Sequence, residues 1–328
     1  MRDRADPVRP PGALAAHFLS AVTALVGDDA SACFGDRFGV AVSGGPDSMA
    51  LLHLAATAFP GRVAAATVDH GLRAASAGEA VMVAIWCADH GIPHATLIPE
   101  TPLAGNLQAW GRAQRYALLD RWRAERGIGW IMTAHHADDQ VETLMMRLNR
   151  GAGVGGLAGV RARAGHVIRP LLWAGKAELL GYARHHGLPF ATDPSNTDPR
   201  FDRAALRAAL AGVDWIDPQA VTRSAAALAE AEEALEWAAD ALFARHVRCE
   251  GAECRLDRTD LPREMVRRLV MCMIRALAPD MAMPRGPTLD RAIAAARAGG
   301  RSSIGDLLLD GGDSWTLRRA PPRGGKSR

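Results

Sequence analysis

The chain is short of several things that would define other kinds of protein. Its five cysteines, Cys33, Cys87, Cys249, Cys254 and Cys272, are odd in number, scattered, and nowhere spaced C-x-x-C. That argues against a zinc ribbon or a disulfide framework and reads as ordinary thiols in a reducing compartment. No uninterrupted apolar stretch approaches the roughly 18 residues of a membrane span. The start, "MRDRADPVRPPG", is not followed by an apolar core of signal-peptide length, so the expected location is cytoplasmic, with no membrane partner. Lysine is nearly missing: of 39 basic residues only Lys176 and Lys326 are lysine. The positive charge is therefore arginine, which suits phosphate and stacked bases, although net charge is only +3 and demands no nucleic acid. No internal repeat, acidic block or basic block is present.

What is present is an alternation. Short β-like runs at 38–43, 63–68, 94–98, 129–134 and 167–172 are separated by amphipathic stretches near 47–59, 76–90, 108–126, 138–149 and 176–186. Such alternation predicts an α/β fold, a doubly wound and mainly parallel sheet of Rossmann-like type, with ligands beyond the C-terminal strand ends. From about 215 the alternation stops. "VTRSAAALAEAEEALEWAADALFARHV" is a long helical pattern with Leu228, Leu235 and Leu242 seven apart, "EMVRRLVMCMIRALA" is another helix, and "SIGDLLLDGGDSWTLRRA" reads as a hairpin. The expected organisation is an N-terminal extension with a helix over 1–36, a catalytic domain over 37–214, a smaller, mostly helical domain with a terminal hairpin over 215–320, and a disordered tail over 321–328.

The first β run leads into "VAVSGGPDS" at 40–48. It matches neither G-x-x-x-x-G-K-[ST] nor G-x-G-x-x-G. Instead Ser43, Gly44, Gly45 and Ser48 bring amides and hydroxyls to one place at a helix start, a ready anion site. Pro46 suits the first helical turn, and Asp47 adds a carboxylate able to hold Mg²⁺ against that anion. The second strand ends in "TVDHGLRAASAGEA", where Ser76 and Glu79 have the spacing of a capping box. His70 there either contacts a nucleotide or orders the loop.

The fourth run continues into "TAHHADDQVETLMMRLNRGAGVGGLAGV". With a helix starting near Ala137, His135 stands at a strand tip, and Asp139, Glu142 and Thr143 share a helical face. First-turn acids also favour a helix through its dipole, but that does not account for two adjacent histidines or six glycines between Gly151 and Gly165. A histidine, two carboxylates and a glycine-rich segment form the pattern of a metal-and-base site beside a mobile loop.

"S-G-G-P-D-S" resembles the pyrophosphate loop of the N-type ATP-pyrophosphatase superfamily. Together "VAVSGGPDS", "VDHGLR", "AHHADDQVET", "RLNRGAGVGGLAG" and "DPSNTDPRFDRAALR" resemble, in order and spacing over about 38–210, the compact form of the bacterial tRNA(Ile)-lysidine synthase family. The resemblance implies an ATP-dependent ligase of tRNA modification. Lysine is joined through an adenylated intermediate to C2 of the wobble cytidine of tRNA(Ile) with anticodon CAU, giving lysidine. ATP and Mg²⁺ would be the cofactors, and tRNA(Ile) and free L-lysine the partners, with a homodimer one option for the assembly. It also implies Asp47, Asp139 and Glu142 as site acids with His135 beside them, Arg112 and Arg115 as a pair facing RNA or the activated base, and Arg203 and Arg207 as RNA-binding arginines. Ser43, Gly44, Gly45, Pro46, Asp47, Ser48 and His70 would hold the nucleotide. Ala204 departs from the usual asparagine of that last motif. The segment Gly151 to Gly159 is expected to fold over the inserted base. A tRNA thiolase of the same superfamily and a catalytically silent RNA-binding protein are the competing readings.

Overall fold

The computed structural model describes residues 11–27, 37–71, 74–99, 107–191 and 202–320. The chain divides into two compact units, Met1–Ala229 and Glu230–Arg328. The expected tail over 321–328, Cys33 and most of "DPSNTDPRFDRAALR" lie outside the described residues.

In the first unit α1 (Pro11–Val26) is followed by β1 (Phe38–Ala41), α2 (Pro46–Ala58), β2 (Val63–Val68), α3 (Ala74–Asp89), β3 (His94–Leu97), α4 (Leu107–Glu125), β4 (Trp130–Met132) and α5 (Ala137–Asn149). Then come α6 (Val154–Leu157), β5 (Arg163–Ala164), β6 (Val167–Ile168), α7 (Lys176–His185) and α8 (Asp202–Leu210). The sheet order is β3-β2-β1-β4-β6-β5. All its neighbours pair parallel except β5 with β6. The near-continuous apolar strands follow from burial on both faces. One core holds Leu14, Phe18 and Val22 of α1 at helical spacing with the inner faces of α2, α3 and α7; a smaller one sets Leu119 and Trp122 of α4 against Ile131. The doubly wound class expected from the alternation is the fold observed.

The helix α9 (Pro218–His246) runs across the division between the units. The second unit continues with β7 (Val247–Glu250), β8 (Glu253–Leu256), α10 (Arg263–Leu277), α11 (Gly286–Arg297), β9 (Arg301–Ile304), β10 (Leu307–Asp310) and β11 (Trp315–Arg319). Its antiparallel sheet has the order β7-β8-β11-β10-β9 and packs Trp315, Leu309 and Leu317 against the apolar faces of α10 and α11. The helices α9 and α10 and the β10–β11 hairpin match the sequence reading, which leaves out α11 and three further strands. The cysteine reading is corrected here as well. β7 and β8 place Cys249 opposite Cys254, and the two form a cross-strand disulfide. Cys87 and Cys272 are free.

A histidine in the first unit makes part of the stability depend on pH. His53 lies within 2.8 Å of the Tyr182 hydroxyl through Nδ1. Burial, then the charges of His186 and His90, hold it below the ordinary histidine range. An unfolded chain takes up a proton at about pH 6.5 that the folded chain refuses. The His53 contribution is therefore present above that pH and lost as pH falls through it. Denaturant midpoints at about pH 7.5 and 5.5 are expected to differ less in His53→Gln than in the parent. An equal loss in both would assign the effect elsewhere.

Candidate active site

The loop after β1 is built around one positive-φ residue. Gly44 has φ +82°, and a Cβ there would sit 3.2 Å from Cβ of Glu79, so both conformation and space call for glycine. Its carbonyl accepts the Ala191 amide at 2.9 Å. Gly45 is the N-cap of α2, and Pro46 occupies the first turn. The buried Ser48 hydroxyl accepts the Ser43 amide at 3.2 Å and donates to the Gly45 carbonyl at 2.9 Å. Asp47 follows, and its Oδ1 is buried without a hydrogen-bond partner.

A cavity of about 210 Å³ opens at the C-terminal ends of β1 and β2, lined among others by Ser43, Thr67, His70, Ser76, Glu79 and Arg115. Burial, then the charge of Arg115, keeps His70 below its ordinary pKa, and its Nδ1 has no partner. The expected capping box is not formed: α3 begins at Ala74, and Ser76 donates instead to Asp69 at 2.6 Å. Asp69 also accepts the Gly71 amide at 2.9 Å, and the two bonds, Ser76 first, lower its pKa.

The N-terminus of α5 collects the charged groups. The helix starts at Ala137, as its sequence predicts, and His136 is its N-cap, with its amide donating to Asp139 Oδ2 at 3.1 Å. The His136 ring is 3% exposed. It lies 3.6 Å from Asp47, 3.5 Å from Asp138 and 3.6 Å from Asp139. Burial alone would lower its pKa, but the three carboxylates outweigh that and raise it to about 10. His136 is therefore an imidazolium bracketing the loop acid to the helix acids. The sequence reading chose its neighbour. His135 bonds Thr133 Oγ1 through Nδ1 at 2.9 Å. Burial and the charges of Arg169, Arg115 and Arg112, opposed by Asp139, hold it far below the ordinary range. The adjacent pair is thus split into a cation and a neutral ring, and only the doubled histidine in the sequence signals it.

One turn further along the same face of α5, Glu142 is 4% exposed and pairs with Arg207, while its Oε2 has no hydrogen-bond partner. Arg207 also stands 3.6 Å from Asp139. Arg203 donates to Thr143 at 3.1 Å and stands 3.8 Å from Glu142. Both arginines of α8 thus face the helix carboxylates. Between them Ala204 is buried, a position where an asparagine amide would need hydrogen-bond partners and a methyl group needs none. A second cavity, about 260 Å³, is lined among others by Asp138, Glu142, Lys176, Arg207, Leu210 and Ile216. Arg112 and Arg115 lie 5.0 and 5.2 Å from the Tyr116 ring centroid, next to Arg169.

The glycine-rich segment is tied to α5. Arg147 donates to the carbonyls of Gly156 at 2.6 Å and Gly159 at 2.8 Å. The Gln140 carboxamide accepts the Val160 amide at 2.6 Å and donates to its carbonyl at 2.9 Å.

Among the described residues no group of three or more histidine, cysteine or acidic side chains is arranged to hold a metal, and no helix is long and apolar enough to cross a membrane. Asp47 offers one orphaned carboxylate oxygen beside the anion loop. That fits Mg²⁺, which commonly takes one or two carboxylates and completes its shell with phosphate and water.

Residues 16–213 match the family model of the PP-loop domain, an ATP-binding domain. The chain is 40% identical over 297 residues to a tRNA(Ile)-lysidine synthase of Zymomonas mobilis, covering 88% of this chain and 89% of that one. It is 42% identical over 294 residues to one of Novosphingobium aromaticivorans, covering 87% and 89%. Among solved structures it resembles a U34-tRNA thiolase of Methanococcus maripaludis, with a TM-score of 0.53 at 17% identity over 67% of this chain and 80% of that one, a likeness of fold.

Proposed function

Because the chain belongs to the tRNA(Ile)-lysidine synthase family of PP-loop proteins, we propose that it joins free L-lysine to C2 of the wobble cytidine of a tRNA(Ile) with anticodon CAU, giving lysidine. In the first step cytosine O2 attacks the α-phosphorus of ATP and diphosphate leaves. In the second a lysine amine attacks C2, and the C2–O2 bond breaks as AMP departs.

The observation that carries this reading is one chain of ion pairs, Asp47–His136–Asp139–Arg207–Glu142, that runs from the anion loop to the second cavity. ATP suits the first cavity, with the loop amides around Ser43 and Gly45 on the leaving diphosphate. Asp47 would hold Mg²⁺ there, which neutralises phosphate charge when bound. The second cavity suits lysine. Asp138 and Glu142 can take an ammonium, Lys176 and Arg207 a carboxylate, and Leu210 and Ile216 the methylene stem. The oxygen left unpartnered on Glu142 can accept the proton that the attacking amine must lose. RNA would approach over Arg112 and Arg115. The thiolase alternative needs reactive cysteines in this unit; Cys33 lies outside the described residues, and Cys87 is fully buried, with burial pushing its thiol up to about 12.

The deciding experiment measures AMP release and lysidine together, with and without a CAU-anticodon transcript. AMP release that ignores both the transcript and lysine would end this reading. The glycine-rich segment adds a second measurement. Held by Arg147, it can keep water from the adenylated cytosine. Arg147→Ala is expected to raise AMP released per lysidine made several-fold, within the ~10²-fold that misplacing a reacting group can cost. An unchanged ratio in a folded variant would leave these contacts a purely structural role.

A further inference from the structure

Three arginines carry buried donors with nothing to bond: Arg115 and Arg169, whose charges act on His135, and Arg161, whose carbonyl Arg169 bonds. Arg169, directly after β6, is 5% exposed. Its Nη1 donates to the Arg161 carbonyl at 2.6 Å and its Nη2 to the Tyr116 hydroxyl at 3.3 Å, while its Nε is buried with no partner. Arg161 Nη1 and Arg115 Nε are likewise buried and unpartnered. Leaving a buried donor unmet costs about 1–3 kcal/mol, more when it is charged. Among the described residues no ion pair joins Arg112, Arg115, Arg161 or Arg169 to a carboxylate. The charges of Arg112, Arg115 and Arg169 act together on both His135 and Tyr116. Guanidinium groups with orphaned buried donors and no carboxylate partner, gathered about Tyr116 and the Arg161 carbonyl, are arranged for an anion that arrives from outside.

We infer that Arg115, Arg161 and Arg169 form, around Tyr116, a subsite for an RNA phosphodiester that seats the strand carrying the reacting base beside His135. This rests on the proposed function and adds Arg161 as a direct ligand and Arg169 as the residue that positions it. The ATP phosphates are the other candidate anion, and Arg115 also lines the first cavity, but those phosphates have their own donors in the loop at Ser43–Ser48, and Arg161 and Arg169 do not line that cavity. Arg169 follows β6, two strands from β1 in the sheet, or roughly 10 Å at the usual strand spacing. Guanidinium forks match phosphate oxygens in pairs, which lysine cannot reproduce.

The test uses the full chain and a CAU-anticodon tRNA transcript, with binding measured without turnover over a series of salt concentrations. Arg161→Ala, a half-buried side chain, is expected to weaken binding roughly tenfold. The slope of log K against log salt should become shallower by about 0.7–0.9, the loss of one phosphate contact. The ATP requirement should stay as in the parent. Arg169→Lys keeps the charge and loses the fork, and should raise the tRNA requirement with little change in turnover at saturating tRNA. An unchanged slope and affinity in Arg161→Ala would overturn the subsite. So would a raised ATP requirement with tRNA binding intact, which would assign the arginines to the nucleotide. Absence of lysidine from the parent enzyme would overturn the proposed reaction instead, since the binding result stands without it.

Discussion

Replacing Asp47 with alanine is expected to lower AMP formation by at least about a hundredfold, the order of effect seen when one preorganised charge-stabilising group is removed, while the variant still binds tRNA. The carboxylate has two tasks. Its Oδ1 is the orphaned buried acceptor beside the anion loop, and it stands 3.6 Å from His136. In the variant His136 keeps Asp138 and Asp139 at 3.5 and 3.6 Å, so the fold should survive. In the proposed reading RNA affinity comes mainly from arginine–phosphate contacts, and Asp47 is not among those arginines. Parallel assays of AMP formation and filter-bound tRNA check the prediction. Turnover like that of the parent would remove Asp47 from the chemistry. Asp47→Asn, which keeps the shape and loses the charge, should be nearly as inactive.

Glu142→Gln is expected to strike the other half of the reaction. ATP–diphosphate exchange in the presence of tRNA should persist within a few-fold, whereas lysidine formation should fall by about 10²–10⁴-fold, the range for loss of a general base. Two observations set this split. Glu142 lines the second cavity and not the first, and its partner Arg207 is shared with Asp139, so the arginine retains a carboxylate in the variant. Rapid-quench measurement of the adenylated tRNA alongside lysidine tests it directly. If both products fell together, Glu142 would belong to activation and the amine would need another acceptor.

Much of this site could be read from the chain before its fold was seen, and the failures have physical causes. The pyrophosphate loop was legible because Gly44, Pro46 and Ser48 each have a local reason for their place. The start of α5 was legible because the acid-rich first turn follows a short apolar strand. Choosing between His135 and His136 was not possible, since either ring can flank a strand tip and only the folded arrangement of Asp138, Asp47 and Asp139 about one ring and of arginines about the other decides which one is charged. The second cavity draws on 138–142, 176 and 207–218, segments brought together by tertiary packing that no periodicity encodes. In the second unit β7, β8 and β9 are four residues long with the sequences VRCE, ECRL and RSSI. Such short strands, rich in charged or hydroxyl side chains, carry little of the apolar alternation that marks a strand. The Cys249–Cys254 pairing follows from hairpin register and not from a recognisable spacing motif.

The two cavities have no lining residue in common, and the ion-paired groups at the start of α5 run from Asp47 of the anion loop to Glu142 and Arg207 of the second cavity. Under the proposed function the activating half, built on β1, β2 and the loop between β1 and α2, can therefore stay fixed while substitutions at Leu210, Val213 or Ile216 reshape the half that would receive the amine. Descent within such a fold would keep the phosphate chemistry and exchange the nucleophile. A chain of this design is modular at the level of side chains, with the seam at Asp139.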